Sequence, residues 1–278
     1  MDKRLLTIQD ISCVGQCSLT VALPVISACG IETAILPSSV LSNHTAGFSG
    51  WTFNDLTDDM PNILAQWKKE NISFDAFYTG YVSKSQIPYI LQIMKETARP
   101  NALKIIDPVM ADNGKMYTGF DSDFPKEMAK LCNNADVIMP NLTEAAFLID
   151  QPYVGADYDQ NFIEDLCKKL YTKLNAKNVL LTGVSFNPKE LGCAVYNGES
   201  YQYYFAEKQN VSMHGTGDAF ASAVAGALCQ GKSLIEAATI GADFVVESIK
   251  ATINDKEHWY GVKFEKALPF LFQQLNKK

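Results

Sequence analysis

The stretch His214-Gly215-Thr216-Gly217-Asp218 runs into the small residues Ala219-Phe220-Ala221-Ser222-Ala223-Val224 and carries the most specific chemical signal in the chain. Two glycines one residue apart permit a tight turn, and the residues after them read as a buried helix. A helix start leaves backbone N–H groups unpaired at the positive end of the helix dipole, which makes an anion site. Asp218 sits at that start. It is either an N-terminal cap, the commonest use of Asp there, or a catalytic carboxylate inside a positive field.

Acids and hydroxyls recur where other apolar runs end. They are Asp10 and Ser12, Ser42-Asn43-His44-Thr45, Gly80-Tyr81, Asp107 with Asp112, Asn141 with Glu144, and Thr182-Gly183. Each alone also reads as a turn former or a helix cap. In an open parallel sheet, ligands bind beyond the carboxyl ends of the strands, and the recurrence falls there. Asp107 and Asp112, five apart, suit a hard cation together with Glu144. Mg²⁺ takes one or two carboxylates plus substrate phosphates. His44 is a candidate substrate contact, His214 flanks the glycine turn, and His258 reads as superficial. No His–Cys or Ser–His–Asp spacing points to covalent catalysis.

Gly226-Ala227-Leu228-Cys229-Gln230-Gly231-Lys232-Ser233 matches the pattern G-x-x-x-x-G-K-[ST]. A P-loop needs a strand before it and a helix opening at the lysine. Here the first glycine falls inside the helix that begins near Asp218, Gly231 reads as its C′ residue, and Ser233 caps the next helix. The match is a decoy.

The elements that position these residues alternate. Strands are expected at 5–8, 31–36, 74–79, 103–106, 136–139 and 179–182, with Pro37 closing the second and a loop over 38–51. Helices are expected from Ser18 to Cys29 with Gly30 as C′, from Asn54 or Asp55 to about Glu70, and over 85–97, 124–132, 143–149 and 161–174. The strands are continuous apolar runs, the pattern of a parallel sheet covered on both faces. Asn197-Gly198 between 192–196 and 201–205 signals a late antiparallel hairpin. The fold class is therefore α/β, a three-layer αβα sandwich with a mostly parallel central sheet. No repeat or linker interrupts it, so residues 1–278 read as one domain.

The chain's 278 residues, 47% hydrophobic and 20% charged, suffice for a large core. A net charge of −7 argues against a nucleic-acid or anionic-membrane surface. No apolar run reaches membrane-spanning length and the N-terminus lacks a signal-peptide core, which points to a cytoplasmic protein. Seven scattered cysteines, without CxxC pairs or nearby histidines, read as reduced core thiols.

Gly215-Thr216-Gly217-Asp218 with its small-residue helix resembles the signature of ribokinase-like carbohydrate and vitamin kinases. Within that superfamily, Ser42-Asn43-His44-Thr45 resembles a loop of the pyridoxal kinases. Thr79-Gly80-Tyr81, Asp107-Pro108-Val109-Met110-Ala111-Asp112 with Tyr117, and Pro140-Asn141-Leu142-Thr143-Glu144-Ala145 resemble further segments of theirs. The resemblance spans about Ile8 to Gly226. It implies ATP-dependent phosphorylation of the 5′-hydroxymethyl group of pyridoxal, pyridoxamine or pyridoxine. Asp218 is then the base, and the Gly215–Gly217 amides form the anion hole. Asp10, Ser12, His44, Thr45 and Tyr81 lie on the vitamer. Asp112, Asn141, Thr182 and Gly183, with Gly215, Thr216 and Gly217, lie on ATP. Asp107 and Glu144 hold Mg²⁺ directly or through water, with K⁺ as a further candidate cation and a homodimer as the expected assembly.

Two positions and one stretch depart from the family pattern. Met139 stands where a Thr is common before Pro-Asn, Ala111 replaces a Gly, and Gln9-Asp10-Ile11-Ser12 replaces Gln-Ser-His. The ring-contacting serine therefore corresponds to either Asp10 or Ser12. The Gln-Asp start also resembles hydroxymethylpyrimidine kinases, a sister group, which gives the alternative reading. A non-catalytic vitamin-binding protein that kept the pocket is the third.

Overall fold

The computed structural model describes residues 3–277. In chain order the elements are β1 (Arg4–Ser12), α1 (Leu19–Ala28), β2 (Glu32–Leu41), β3 (Phe53–Asp55), a 3₁₀ turn (Thr57–Asp59), α2 (Met60–Lys69), β4 (Phe74–Thr79), α3 (Ile87–Thr97), β5 (Ala98–Ile106), β6 (Ala111–Asp112), β7 (Lys115–Met116), α4 (Phe124–Cys132), β8 (Val137–Ile138), α5 (Leu142–Leu148), α6 (Gln160–Leu174), β9 (Val179–Val184), β10 (Glu190–Tyr196), β11 (Tyr201–Glu207), α7 (Thr216–Cys229), α8 (Leu234–Thr252) and α9 (Phe264–Leu275). The fold is a mixed, mostly parallel sheet flanked by helices, with an antiparallel hairpin near its end, as the alternation predicts. The chain forms two compact units, 1–102 with 209–278, and 103–208.

In the first unit the strand order is β4-β1-β2-β3, with β1 parallel to both β2 and β4 and β3 antiparallel to β2. β1 is central, so Leu5, Leu6 and Ile8 are fully buried, which explains its unbroken apolar run. It runs on through Gln9, Asp10 and Ser12, beyond the expected end at Ile8. Its pairing with β2 survives by a bulge between Gln9 and Ile11, opposite Pro37, so the proline does not stop β2. A bulge is one of the few places where a strand accommodates a residue without an N–H. The expected loop therefore begins after Leu41. The expected helix start at Asn54 or Asp55 is likewise corrected, because those residues pair with β2 and α2 opens at Met60.

α1 and α7 pack closely because Gly226 faces Cys29, where a Cβ would come within 2.4 Å of the sulfur. Gly226 lies inside α7, Gly231 has φ 88°, and Ser233 and Glu236 form a capping box that opens α8. The G-x-x-x-x-G-K-S stretch is a helix end and a helix start, with no strand before it.

In the second unit the order is β11-β10-β9-β8-β5, with β5, β8 and β9 parallel and β10 and β11 antiparallel. The hairpin signalled by Asn197-Gly198 forms with Tyr196 opposite Tyr201. Asn197 Oδ1 accepts the N–H groups of Glu199 and Ser200, which closes the turn. A second hairpin, β6–β7, turns on Asn113 (φ 49°) and Gly114 (φ 76°). Its Asn-Gly pair carries the same signal at shorter range.

Candidate active site

In the first unit the carboxyl end of β1 and the start of α7 bring five of the expected residues into mutual influence. Asp10 and Ser12 point off the end of β1 and are 5% and 2% exposed. The Ser12 hydroxyl donates to Asp10 Oδ2 at 2.9 Å. Asp10 is also influenced by His44, and its charge reaches Tyr81 and Asp218. Burial pushes the Asp10 carboxyl above its ordinary value, against the hydrogen bonds from Ser18 and Ser12.

α7 opens on Gly215, whose φ of 77° and whose closeness to the Gln16 carbonyl (1.8 Å from an added Cβ) admit only glycine. Asp218 is the third residue of the helix, whose N-cap position is taken by Gly215 with no side chain to cap it. The residue as a whole keeps some solvent contact. Its carboxyl is nevertheless enclosed by protein, and that desolvation, then the charge of Asp10, lifts its pKa to about 7. The backbone N–H groups of Ser18 and of Asp218 itself partly oppose the rise. Amides bonded to a carboxylate act against such a rise, and here burial outweighs them. A Cβ on Gly217 would meet nothing within 4 Å, so the turn is open beside Asp218. Thr216 turns its hydroxyl back onto the Met213 carbonyl at 3.2 Å.

His44 is buried and tightly placed. Its Nε2–H donates to the Tyr260 carbonyl at 2.8 Å and its Nδ1 accepts the Ala46 N–H at 3.2 Å, which fixes the tautomer. Its ring covers Gly15, where a Cβ would come within 2.0 Å, and lies 5.3 Å from that of His214. Thr45, next along, is exposed, and Tyr81 is half-buried.

Sequence reasoning missed three neighbours of this cluster. Cys17 is no core thiol. It feels the charges of Asp218 and Asp10, with burial first and the two acids second pushing its pKa well up against the Gly215 N–H. Cys13 is exposed, so the core reading is corrected for it too, while the other five cysteines are buried and all seven are free. Ser18 acts on both Asp10 and Asp218, holding each carboxyl down against the rise that burial causes. Phe48, Trp259 and Tyr260 build an aromatic wall beside His44, with Phe48 4.9 Å from the His44 ring and 4.7 Å from Trp259. Only fold-level contact joins residues 44 and 260, so no local motif could have shown it.

The second unit holds the remaining candidates. Asn141 caps α5, accepting the N–H groups of Thr143 and Glu144 at 2.8 and 3.0 Å and donating to the Ala111 carbonyl at 2.8 Å. Glu144 answers as the other half of a capping box. Its Oε2 accepts the Asn141 N–H at 2.9 Å and its Oε1 the Met110 N–H at 3.1 Å. Burial pushes its carboxyl up despite these bonds. Asp107 is 9% exposed, and its charge and that of Glu144 both reach the buried Cys132. Asp112 is exposed and accepts from Asn113. Thr182 pairs beside Asn141, and Gly183, with φ 75°, is exposed with open space around it.

Among the described residues no group of three or more His, Cys, Asp or Glu is arranged to hold a metal unaided. Both Glu144 oxygens are engaged by backbone N–H groups. The donors left are carboxylate oxygens, which fit a hard cation that takes most of its ligands from water and substrate phosphates, as Mg²⁺ does.

A mostly parallel sheet flanked by helices, an open glycine turn at a helix start and a near-neutral acid within that turn define a ribokinase-like, ATP-dependent kinase. Residues 25–262 match the family model described as phosphomethylpyrimidine kinase, and the chain belongs to that family. It is 38% identical to a candidate phosphomethylpyrimidine kinase from Bacteroides thetaiotaomicron crystallised with pyridoxal, with TM-score 0.91 over 98% of this chain and 96% of that one. It is 32% identical to pyridoxal kinase from Lactobacillus plantarum, with TM-score 0.89 over 98% and 97%. Pyridoxal kinase from Dictyostelium discoideum is 27% identical over 248 residues, 81% of this chain and 78% of that one.

Proposed function

We propose that this chain transfers the γ-phosphoryl group of ATP to the 5′-hydroxymethyl group of pyridoxal, pyridoxamine or pyridoxine, giving the 5′-phosphate for pyridoxal phosphate salvage. The observation that carries the reading is Asp218, a carboxyl of pKa about 7 at the third position of α7 beside an open glycine turn. A base with a pKa near working pH is deprotonated often enough to act and basic enough to take a hydroxyl proton. Phosphoryl transfer asks for positioning and charge stabilisation more than covalent help. Asp218 takes the proton, and the N–H groups of the Gly215–Gly217 turn hold the oxygens of the moving phosphoryl group.

Asp10, Ser12, His44, Thr45 and Tyr81 form the vitamer side. Asp112, Asn141, Thr182 and Gly183, with Gly215, Thr216 and Gly217, form the ATP side. Asp107 holds Mg²⁺ directly or through water, and Glu144, its oxygens occupied, supports the site by fixing the start of α5 under Asn141. When bound, that cation neutralises phosphate charge, and K⁺ is a further candidate. The whole chain, 1–278, is read as one kinase domain that works as a cytoplasmic homodimer. Among the described residues no helix is long and apolar enough to cross a membrane.

Likeness to pyridoxal kinases supports the B6 substrate, whereas the family description favours a second reading, a hydroxymethylpyrimidine or phosphomethylpyrimidine kinase. ATP consumption measured in parallel with each B6 vitamer and with hydroxymethylpyrimidine separates them. The expected result is turnover with B6 vitamers, reduced by orders of magnitude in Asp218→Ala while vitamer binding persists. Turnover confined to the pyrimidine transfers the assignment to the second reading. ADP formation with neither alcohol leaves a binding protein.

A further inference from the structure

We propose that residues 259–262, between α8 and α9, form a positioning strap that fixes the loop after β2 against the glycine turn opening α7. His44 is the strap's anchor on that loop and acts by placing Thr45, not by touching the vitamer. The proposal rests on the B6-kinase reading and deepens it.

On the loop side the contacts are direct. His44 Nε2–H donates to the Tyr260 carbonyl at 2.8 Å and Nδ1 accepts the Ala46 N–H at 3.2 Å, so neither ring nitrogen is left for a substrate. The Trp259 ring lies over Gly47, at φ 84°, where a Cβ would come within 2.9 Å of it. Phe48 closes on the same ring with centroids 4.7 Å apart. Trp259 is 49% exposed, so its ring is spent on the loop and not on the core.

The same segment holds the turn. The Val262 N–H donates to the His214 carbonyl at 3.1 Å, one residue before Gly215. Gly261 lies against Gln16, where a Cβ would come within 2.3 Å of the Gln16 Cβ, and the Gln16 carbonyl is the atom that Gly215 abuts. The strap is itself fixed at its base. His258 Nδ1–H donates to the Gly261 carbonyl at 2.9 Å, the Lys263 N–H donates to the Thr252 hydroxyl at 2.8 Å, and Lys263 pairs with Asp255. Loop and turn meet where the rings of His44 and His214 lie 5.3 Å apart.

Thr45 follows His44 and is exposed, so what fixes His44 fixes Thr45 relative to the Gly215–Gly217 amides. Transfer depends on that spacing, because the vitamer hydroxyl must meet the phosphoryl group that the turn holds. A misplacement of about 1 Å costs about 100-fold in rate.

The test compares His44→Leu, His44→Gln and Trp259→Ala with the parent chain. Leucine removes the donor to Tyr260, and a glutamine amide puts one back at a similar reach. Alanine at 259 uncovers Gly47 and Phe48 without opening the core. In His44→Leu and Trp259→Ala, kcat/KM for the vitamer is expected to fall about 10- to 100-fold. KM for ATP is expected to stay within about twofold, which a general loss of structure would not allow. His44→Gln is expected to recover most of the loss. Amide exchange over residues 42–51 is expected to quicken in His44→Leu and Trp259→Ala, and less in His44→Gln, a readout that needs no turnover. A His44→Gln as impaired as His44→Leu, with exchange as slow as the parent's, shows the ring touching the vitamer and overturns the positioning role. Unchanged exchange and kcat/KM in Trp259→Ala overturn the strap. If His44→Leu fails to fold, Trp259→Ala decides. A parent chain that turns over no B6 vitamer refutes the B6-kinase reading instead, and the exchange comparison then decides the strap by itself.

Discussion

Replacing Asp218 by Asn is expected to stabilise the protein, and more so as the pH rises. The carboxyl titrates at about 7 in the folded chain, against 3.8 for an unperturbed one. Between those values the folded state binds more proton than the unfolded state, so stability falls as the pH climbs through the window. A shift of this size corresponds to about 4 kcal/mol above pH 7 if taken in full, at about 1.4 kcal/mol per unit. Somewhat over half of it develops between pH 5 and pH 8. The residue keeps some solvent contact, so a discounted change of about 2 kcal/mol over that interval is the working figure. Asparagine does not titrate and can still accept the Ser18 N–H. It also relieves Asp10 of a like charge, which acts in the same direction. Melting curves of parent and variant at pH 5 and pH 8 measure the effect. The variant's Tm advantage is expected to grow by about 4–8 °C between the two, in a protein that no longer turns over. An advantage that is constant or shrinks with pH refutes the claim that Asp218 is held as a desolvated acid.

The two glycines of the turn are expected to behave differently. Gly215→Ala forces a Cβ to 1.8 Å from the Gln16 carbonyl at φ 77° and is expected to cost about 1–3 kcal/mol as well as activity, read as Tm and kcat. Gly217→Ala has open space and is expected to fold normally yet lose turnover, because its methyl group enters the anion hole. Lys232→Ala, at the lysine of the Walker-like match, is expected to leave ATP-dependent kcat and KM within about twofold of the parent, because α7 and α8 flank it where a P-loop needs a strand.

Much of the fold was legible because strand and helix periods are local. Phe74–Thr79 and Phe124–Cys132 form over the very residues their apolar patterns mark. The errors cluster where tertiary pairing overrides a local stop signal. Pro37 reads as the end of β2, and a bulge opposite Gln9 carries the pairing past it. Gln9, Asp10 and Ser12 read as a polar strand end, and β1 keeps them because its pairing with β2 runs on to Ser12 and all three are buried. That extension places Asp10 on a strand, while α7 places Asp218 on a helix.

The site was legible in its residue types and much less so in their couplings. Asp218, Asp10, Ser12 and His44 could be named from motifs. Whether Asp218 is a cap or a base turns on what surrounds its carboxyl, and no pattern around residue 218 encodes residue 10 or 18. Asn141 and Glu144 show the converse. Their spacing satisfies an N-terminal capping box as well as a nucleotide–metal motif, and the structure shows the box fully formed. A capping box fixes the direction of the helix start and of the carboxyl within it, which is also what a phosphate or cation site requires. The bland and the functional reading of Asn141-Leu142-Thr143-Glu144 are therefore compatible. At Asp218 burial and the charge of Asp10 raise the carboxyl against the amides that oppose the rise, as burial raises Glu144 within its capping box. What distinguishes Asp218 is the second acid, Asp10, beside it, and neither that acid nor the burial is contained in a local sequence window.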